Sequence, residues 1–518
     1  MSFWLNLGQI QKLNAKKFPD TVALMDKDRS FTYPALNKRV NRLAHSLTSL
    51  GLQKGDKLAV ILENCIEIVE LFLATAKTGI IMVPINFRLA GPEVEYIVNN
   101  SDAKAFVVHD LFADTVRPIK EKLTNISPEN FVMVGETEQG YREYEDFIKD
   151  AVDDEPDVTV DVRDTWILIY TSGTTGRPKG VIRSHESHIA YYLHNAVDFG
   201  FSEKDVCLNV MPLCHINSIF FTFTFLYIGG SAYIHPAIGF KPEEILEIIE
   251  KHKITFISLI PTHYTLILNA PDDAKRRDVS SIRKLLCSSA PGRKSTKQAV
   301  MEFFSGVELY EAYGSTEGGI VTILKPEYQM TKLGSIGFEA LGSDIIKILD
   351  DEGNEVPDGE IGELYSRGPM LFDEYYKLPD QTAESFKHGF FSAGDMARRD
   401  EDGFYQLVDR KKNMIITGGE NVYPSEVEEI VGSHECVLDC AVIGLPDDKW
   451  GEKVTAVVVK KDGIRPEDIT EEMIRECCRG QIAGYKTPKE VIFIDADQMP
   501  RTPTGKILHR KLREKFSK

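Results

Sequence analysis

From residue 30 to residue 110, short apolar runs and helix-like stretches alternate without a break. "SFTYPALNKRVNRLAHSLTSLGLQKGD" predicts a helix ending at Gly51, and "KLAVIL" a short buried strand. "EIVELFLATAKTG" predicts a helix closed by glycine, and "IIMVPIN" a strand stopped at Pro84. "EVEYIVNNSDA" and "KAFVVH" repeat the pair. Such alternation restricts the chain to layered α/β architecture with largely parallel sheets. "DVCLNVMP", "ITFISLIP" and "RKLLCSSAPG" continue it, each an apolar strand ending in Pro, Ser or Gly. Ligands in open α/β sheets sit at such strand ends. From 343 to 410 the texture changes, and "DIIKILDDEGNEVPDGEIGELYSRG" reads as short strands joined by Gly and Asp turns, a hairpin-rich lobe. With 518 residues the chain exceeds one ordinary core. We place a boundary at 410/411, giving a large α/β domain with a β-rich lobe over 1–410. A small α+β domain follows over 411–518 and ends in the basic "KILHRKLREKFSK".

The net charge of -18 and a pI near 5.3 argue against nucleic acid or an anionic membrane as the main partner. The 8 cysteines include no CxxC pair, and His434, Cys436 and Cys440 have no matching second half of a zinc site. This pattern suits a reducing compartment. "MSFWLNLGQIQKLNAKKF" lacks the apolar core of a signal peptide, and the terminal "FSK" is not the peroxisomal SKL. The expected location is therefore cytoplasmic. One stretch, "INSIFFTFTFLYIGGSAYI", has the length of a spanning helix without a charge. Its polar residues and the Gly229-Gly230 break predict a buried helix, a glycine turn and a buried strand instead.

After the apolar run "WILIY" comes "YTSGTTGRPKG", Tyr170 to Gly180. Strand, glycine-rich loop and lysine form the grammar of a phosphate cradle, because glycines let backbone N–H groups approach an anion. The loop is not a Walker A motif, since Lys179 is followed by Gly180 and not by Ser or Thr.

The loop resembles the signature of the adenylate-forming superfamily, which includes acyl-CoA synthetases, luciferases and peptide-synthetase adenylation domains. "MPLCHINS", "SSAPG", "YEAYGSTEGG", "GEIGELYSRGPMLFDEYY", "FFSAGDMA", "DRKKNMIITGGENVYPSEVE" and "PRTPTGKILHRKL" follow in the family's order, over roughly 165–512. The resemblance implies a large N-terminal domain in subdomains and a small mobile C-terminal domain. It also implies two-step chemistry. A carboxylate attacks the α-phosphate of ATP, giving an acyl-adenylate and pyrophosphate, and the thiol of coenzyme A then displaces AMP.

By that resemblance Thr171, Ser172, Gly173, Thr174, Thr175 and Lys179 hold the β- and γ-phosphates. Ser289, Ala290 and Pro291 wall the adenine slot with Glu311, Tyr313, Gly314 and Ser315. Thr316 touches the α-phosphate, and Glu317 ligates Mg²⁺. Asp395 and Arg410 take the ribose, although Ala393 stands where the family usually has threonine. Lys506, in "PTGK", bridges the substrate carboxylate and α-phosphate as the adenylation lysine. His215 occupies the position of an aromatic gate to the acyl pocket. Gly418 and Gly419 let the pantetheine arm of coenzyme A pass, Lys486 contacts its phosphates, and Lys412 is the hinge. Taken singly, Tyr313 reads as core packing, Asp395 and Arg410 as a turn aspartate and a surface salt bridge, and Lys506 as one cation of a solvated run. Only the motifs around them separate the readings.

The acyl pocket is expected from Ile216–Phe225 and from the segment after Gly318. The texture of "KTGIIMVPIN" and "NMIITGGENV" is similar to crotonobetaine/carnitine-CoA ligases and to medium-chain and aromatic acyl-CoA ligases. A small-to-medium apolar, aromatic or betaine-like acid is implied. The rival readings are a stand-alone adenylation enzyme loading a carrier protein and an inactive ATP- or CoA-binding regulator. Glu317, Asp395, Arg410 and Lys506 together argue against the regulator.

Overall fold

The computed structural model describes residues 5–171, 178–288, 292, 294–418, 420–465, 468–479, 481–502 and 505–517. The alternating segment folds as its pattern demands. Helix Tyr33–Ser49, strand Lys57–Ile61, helix Ile66–Thr78, strand Ile81–Pro84, helix Gly91–Asn100 and strand Ala103–His109 follow one another. Helix Ile66–Thr78 stops because Gly79 turns left-handed, at φ 69°, and donates its N–H back to Thr75.

The chain forms two compact units, one of residues 1–346 with 366–391, the other of 347–365 with 392–518. In the first unit the described residues form two large sheets. One is eight-stranded and runs from Glu374–Tyr375 through Lys179–Ser184, Thr165–Thr171, Ile81–Pro84 and Lys57–Ile61 to the strands at 103–109, 131–134 and 142–143. The other is nine-stranded, with Glu308–Ser315, Lys284–Cys287, Phe256–Leu259, Val206–Asn209 and Ser231–Ile234 at its centre. These central strands pair in parallel, and antiparallel strands close both edges. Their carboxyl ends therefore share one rim, the rim on which an open α/β sheet builds its ligand site.

The uncharged stretch folds as predicted: helix Ile216–Ile228, a left-handed turn at Gly229, then strand Ser231–Ile234. Phe223 meets Phe72 and Trp166 edge-on, at 5.3 and 5.5 Å between ring centres. On the other flank Phe221 stacks on Phe256, at 5.2 Å. A helix apolar all round has protein on all sides, which accounts for the composition without lipid. No helix among the described residues is long and apolar enough to cross a membrane.

His185 and His188 lie in this layer without solvent exposure, Trp166 stacking on the first and meeting the second edge-on. Burial lowers the pKa of His185 to about 3 and that of His188 well below the ordinary value. Both are neutral in the folded protein, whereas the unfolded chain protonates them near pH 6.5. Between these values the unfolded state binds more protons, so stability falls as pH drops from 6.5 towards 3. The expected loss is about 2 kcal/mol per histidine at pH 5. Urea unfolding at pH 7 and pH 5 measures it. A His188→Phe variant should show a shallower pH slope, and an unchanged slope would count against the assignment.

In the second unit, Lys347–Leu349, Gly362–Tyr365, Asp395–Arg399 and Tyr405–Arg410 form an antiparallel sheet. Here the hairpin texture of 343–410 is realised. A second sheet pairs Val437–Asp447 with Gly451–Lys460, and Glu490–Ile494 joins in parallel. Helices Pro424–Gly432, Glu471–Cys478 and His509–Phe516 accompany it, with Val427, Ile474 and Leu512 buried. By packing, the strands just before residue 410 share a unit with everything after it. Strand Tyr405–Arg410 gives way to the single turn Lys411–Asn413 at that point.

Candidate active site

Strands Thr165–Thr171 and Lys179–Ser184, on either side of the glycine-rich loop, pair antiparallel with Thr171 opposite Lys179. Ser172, Gly173, Thr174 and Thr175 lie outside the described residues, as do Ser289, Ala290, Pro291 and Gly419. The two ends of the loop, Thr171 and Lys179, are placed. Lys179 Nζ sits 4.8 Å from the centre of the Tyr375 ring, and the Tyr375 hydroxyl donates to Glu317 Oε1 at 2.9 Å. One tyrosine thus links the lysine of the loop to the glutamate of "YGSTE". The sequence reading left Tyr375 out. Its signal in the sequence is faint, the first of the two tyrosines in "FDEYY", on the edge strand beside the hairpin.

Strand Glu308–Ser315 carries the second element. It pairs in parallel as far as Glu311, and its antiparallel pairing with strand Gly319–Leu324 shifts register between Tyr313 and Gly314. Gly314 has to be glycine, because an added Cβ would lie 2.1 Å from the Gly319 carbonyl oxygen. Ser315 Oγ accepts from Gly318 N–H at 2.8 Å and tightens the turn. Glu311 accepts from Gly292 N–H at 2.8 Å and pairs with buried Lys297. Its carboxylate anchors the end of "SSAPG". Tyr313 is half-buried between these features.

No motif singles out Arg183. It is fully buried, and Nη1 donates to the Thr316 carbonyl at 2.8 Å while Nη2 donates to the Met370 carbonyl at 2.6 Å. Its guanidinium also lies 5.0 Å over the Phe220 ring. Burial lowers its pKa to about 10, with Asp373 opposing, so it stays charged at neutral pH. The backbone of Thr316 and Glu317 is held by a cation from the strand that follows the loop.

In the second unit Asp395 is buried opposite Arg410 in the ladder, and Arg410 Nε meets its carboxylate at 2.5 Å. Arg410 Nη1 also donates to the Ala393 carbonyl at 3.1 Å. Lys506 follows Gly505, whose φ is 85°, in a turn closed by Thr502 N–H to the Lys506 carbonyl at 2.7 Å. Lys506 is exposed as a residue, yet its ammonium end is crowded. That crowding comes first in lowering its pKa, the Arg410 cation adds to it, and Asp395 opposes. The three expected residues are therefore within electrostatic reach of one another.

The remaining residues of the second unit divide. The Lys412 carbonyl accepts from Arg513 at 3.2 Å, and its side chain is exposed. Gly418 turns left-handed at φ 60° and donates to the Trp450 carbonyl at 2.8 Å, while an added Cβ would meet the Trp450 ring at 3.0 Å. Lys449 lies 4.7 Å over that half-open ring. Lys486 is paired with Glu426, which engages its charge inside the unit.

His215 caps helix Ile216–Ile228 at its N-terminal end. Burial lowers its pKa to about 4, with Arg88 acting in the same direction, and its Nε2 has no hydrogen-bond partner among the described residues. The phenylalanines expected to line an acyl pocket mostly pack on other rings, Phe220 on Tyr191 and Phe225 on Phe201. The cavity beside the helix is lined instead by Asn209, Met211, Asn217, Ser218, Phe221 and Ser258, among others.

Mg²⁺ prefers carboxylate and phosphate oxygens and keeps several waters, so a single protein carboxylate is a fitting ligand. Glu317, with one oxygen fixed by Tyr375, meets that requirement.

Residues 12–376 match the AMP-binding enzyme family, and 426–506 match the AMP-binding enzyme C-terminal domain. A feruloyl-CoA synthase from an Amycolatopsis species is 34% identical over 98% of this chain and 99% of its own length. A fatty acid–[acyl-carrier-protein] ligase from Streptomyces coeruleorubidus is 32% identical over 98% of this chain and 96% of its own. The crystal structure of an anthranilate CoA ligase in complex with anthranoyl-AMP superposes with a TM-score of 0.88. It is 28% identical and covers 99% of this chain and 98% of that one. The motifs, the two-sheet first unit and these matches along the whole length agree: the chain belongs to the AMP-binding enzyme family, the adenylate-forming superfamily of acyl-CoA synthetases.

Proposed function

We propose that the protein is an AMP-forming acyl-CoA ligase that activates a small-to-medium or aromatic carboxylic acid. The observation that carries this is the chain Lys179–Tyr375–Glu317. It joins the glycine-rich hairpin to the Tyr313–Glu317 segment on one rim. In this reading the hairpin and Lys179 bind the β- and γ-phosphates, Tyr313 packs on adenine, and Thr316 meets the α-phosphate. Asp395 and Arg410 bind the ribose, and Glu317 holds Mg²⁺. The ion supplies positive charge to the phosphate oxygens when bound. Lys506 supplies the cation where the substrate carboxylate attacks the α-phosphate. Nucleotidyl transfer depends mainly on positioning and on charge facing the transition state, so these roles need few protein groups. His215, neutral at working pH, borders the acyl pocket as its gate. Gly418 and the Trp450 face then serve the coenzyme A thiol step, the open ring with Lys449 offering a stacking and phosphate surface.

Pyrophosphate release from ATP and Mg²⁺ against a panel of fatty acids, benzoates, cinnamates and betaines tests the proposal, run with and without coenzyme A. Turnover that passes one equivalent only with coenzyme A supports it. A single burst insensitive to coenzyme A would favour the second reading, a ligase loading a carrier protein. The name of the Streptomyces relative supports that reading.

Residues 411–518 are proposed to swing about Lys412, exchanging Lys506 for the Gly418 turn between the two half-reactions. Lys412→Pro is expected to slow thioester formation about tenfold or more while adenylation stays within a few-fold. Stopped-flow measurement of each half-reaction decides, and equal losses in both would overturn the hinge.

A further inference from the structure

The cavity beside helix Ile216–Ile228 has a feature that apolar acids leave unexplained. Ser218 is 3% exposed, and its hydroxyl has no hydrogen-bond partner among the described residues. Its polar neighbours are engaged with one another. Ser258 Oγ donates to Asn217 Oδ1 at 3.2 Å and lies 3.2 Å from Ser288 Oγ, and Asn209 Nδ2 donates to the Met211 carbonyl at 3.1 Å. Leaving a buried hydroxyl unpaired is unfavourable. The void they surround measures about 10 Å³, the room taken by one water-sized group.

Its place is that of the acyl site. Strands Val206–Asn209, Phe256–Leu259, Lys284–Cys287 and Glu308–Ser315 are parallel neighbours. Asn209, Ser258 and Ser288 therefore emerge on the same rim as Glu311 and Tyr313. His215 stands one turn before Ser218 on the helix that forms the other wall.

Resting on the acyl-CoA ligase reading, we propose that the acid this protein activates carries a hydroxyl group remote from its carboxylate. Ser218, with Asn217 and Ser258, recognises that hydroxyl. A hydroxyl both donates and accepts, fits a water-sized space, and gives Ser218 its missing partner. A methyl end leaves Ser218 unpaired. A trimethylammonium end is several times too large for the void, whose lining includes no acidic residue among the described residues. A long alkyl tail meets the stacked rings of Phe221 and Phe256.

Matched pairs of acids test this: 4-hydroxycinnamate against cinnamate, 4-hydroxybenzoate against benzoate, and 6-hydroxyhexanoate against hexanoate. The readout is kcat/KM for pyrophosphate release with coenzyme A present. In the pair that fits the pocket length, the hydroxylated acid should lead by roughly 10- to 100-fold. Ser218→Ala should narrow that ratio through the hydroxylated acid alone, and Asn217→Leu should narrow it further. Equal or reversed preference in every pair that turns over would overturn the hydroxyl proposal and leave the ligase reading standing. No turnover with either member of any pair would overturn both. The wild-type ratios alone decide, so a poorly folding variant does not shield the proposal.

Discussion

Replacing Lys506 by alanine is expected to slow acyl-adenylate formation by about 10²- to 10³-fold, the scale of removing one preorganised charge from a transition state. Thioester formation from pre-formed acyl-adenylate should change by less than about tenfold, because the phosphoryl centre has by then reacted. The asymmetry follows from where the charge is needed. During adenylation negative charge gathers on the α-phosphate and the entering carboxylate, and a cation facing both gains strength as the transition state forms. Crowding around Lys506 and the nearby Arg410 both lower its pKa. The lysine thus holds its proton less firmly than an ordinary exposed lysine. Lys506→Arg keeps the charge but not the reach, and should recover only part of the rate. Single-turnover pyrophosphate release measures the first step, and product formation from synthetic acyl-adenylate the second. Equal loss in both steps would mean that Lys506 holds up the fold of the 502–506 turn instead of acting on the carboxylate.

Arg183→Met is expected to be the second most damaging change, and it strikes the site from outside. Two buried carbonyls, those of Thr316 and Met370, lose a charged donor, a destabilisation of about 3 kcal/mol. The backbone of Thr316 and Glu317 then loses its anchor. The Mg²⁺ concentration for half-maximal activity should rise several-fold and kcat fall by about 10²-fold, because a positioning error of an ångström is costly in catalysis. Arg183→Lys retains charge but lacks the fork that reaches two carbonyls at once, and should restore stability more than Mg²⁺ dependence. A variant that loses melting temperature with no change in Mg²⁺ requirement would show that Arg183 is a packing residue only.

Most of the first unit could be read from the one-dimensional pattern. Helix Ile66–Thr78 and strand Ile81–Pro84 appear where apolar periodicity and Gly79 place them, because those signals act within one turn or one strand. The buried helix at 216–228 was likewise distinguishable from a membrane span by its polar residues and its glycine stop. The hairpin around the glycine-rich loop was not. A loop followed by lysine reads the same whether a helix or a strand comes next, and only pairing with Thr165–Thr171 made it a strand.

Glu317, Asp395, Arg410 and Lys506 stand out by motif order, which marks residues but not their neighbours. Arg183 and Tyr375 carry no motif. Arg183 meets Thr316 across 133 positions, and Tyr375 meets Glu317 across 58. Ser218 looked like one polar interruption in an apolar run, and only burial beside Asn217 and Ser258 made its unpaired hydroxyl a signal.

The sequence by itself determined the layered α/β class, the elements of the first sheet, and the family through the order of its motifs. Short-range periodicity, glycine and proline geometry and motif spacing all act locally along the chain. The tertiary structure alone decided that a buried arginine grips the Thr316–Glu317 backbone, that one tyrosine joins Lys179 to Glu317, and that Ser218 lies buried beside Asn217 and Ser258. These depend on which distant segments the sheets bring to one rim, and burial then sets the cost of each unpaired polar atom.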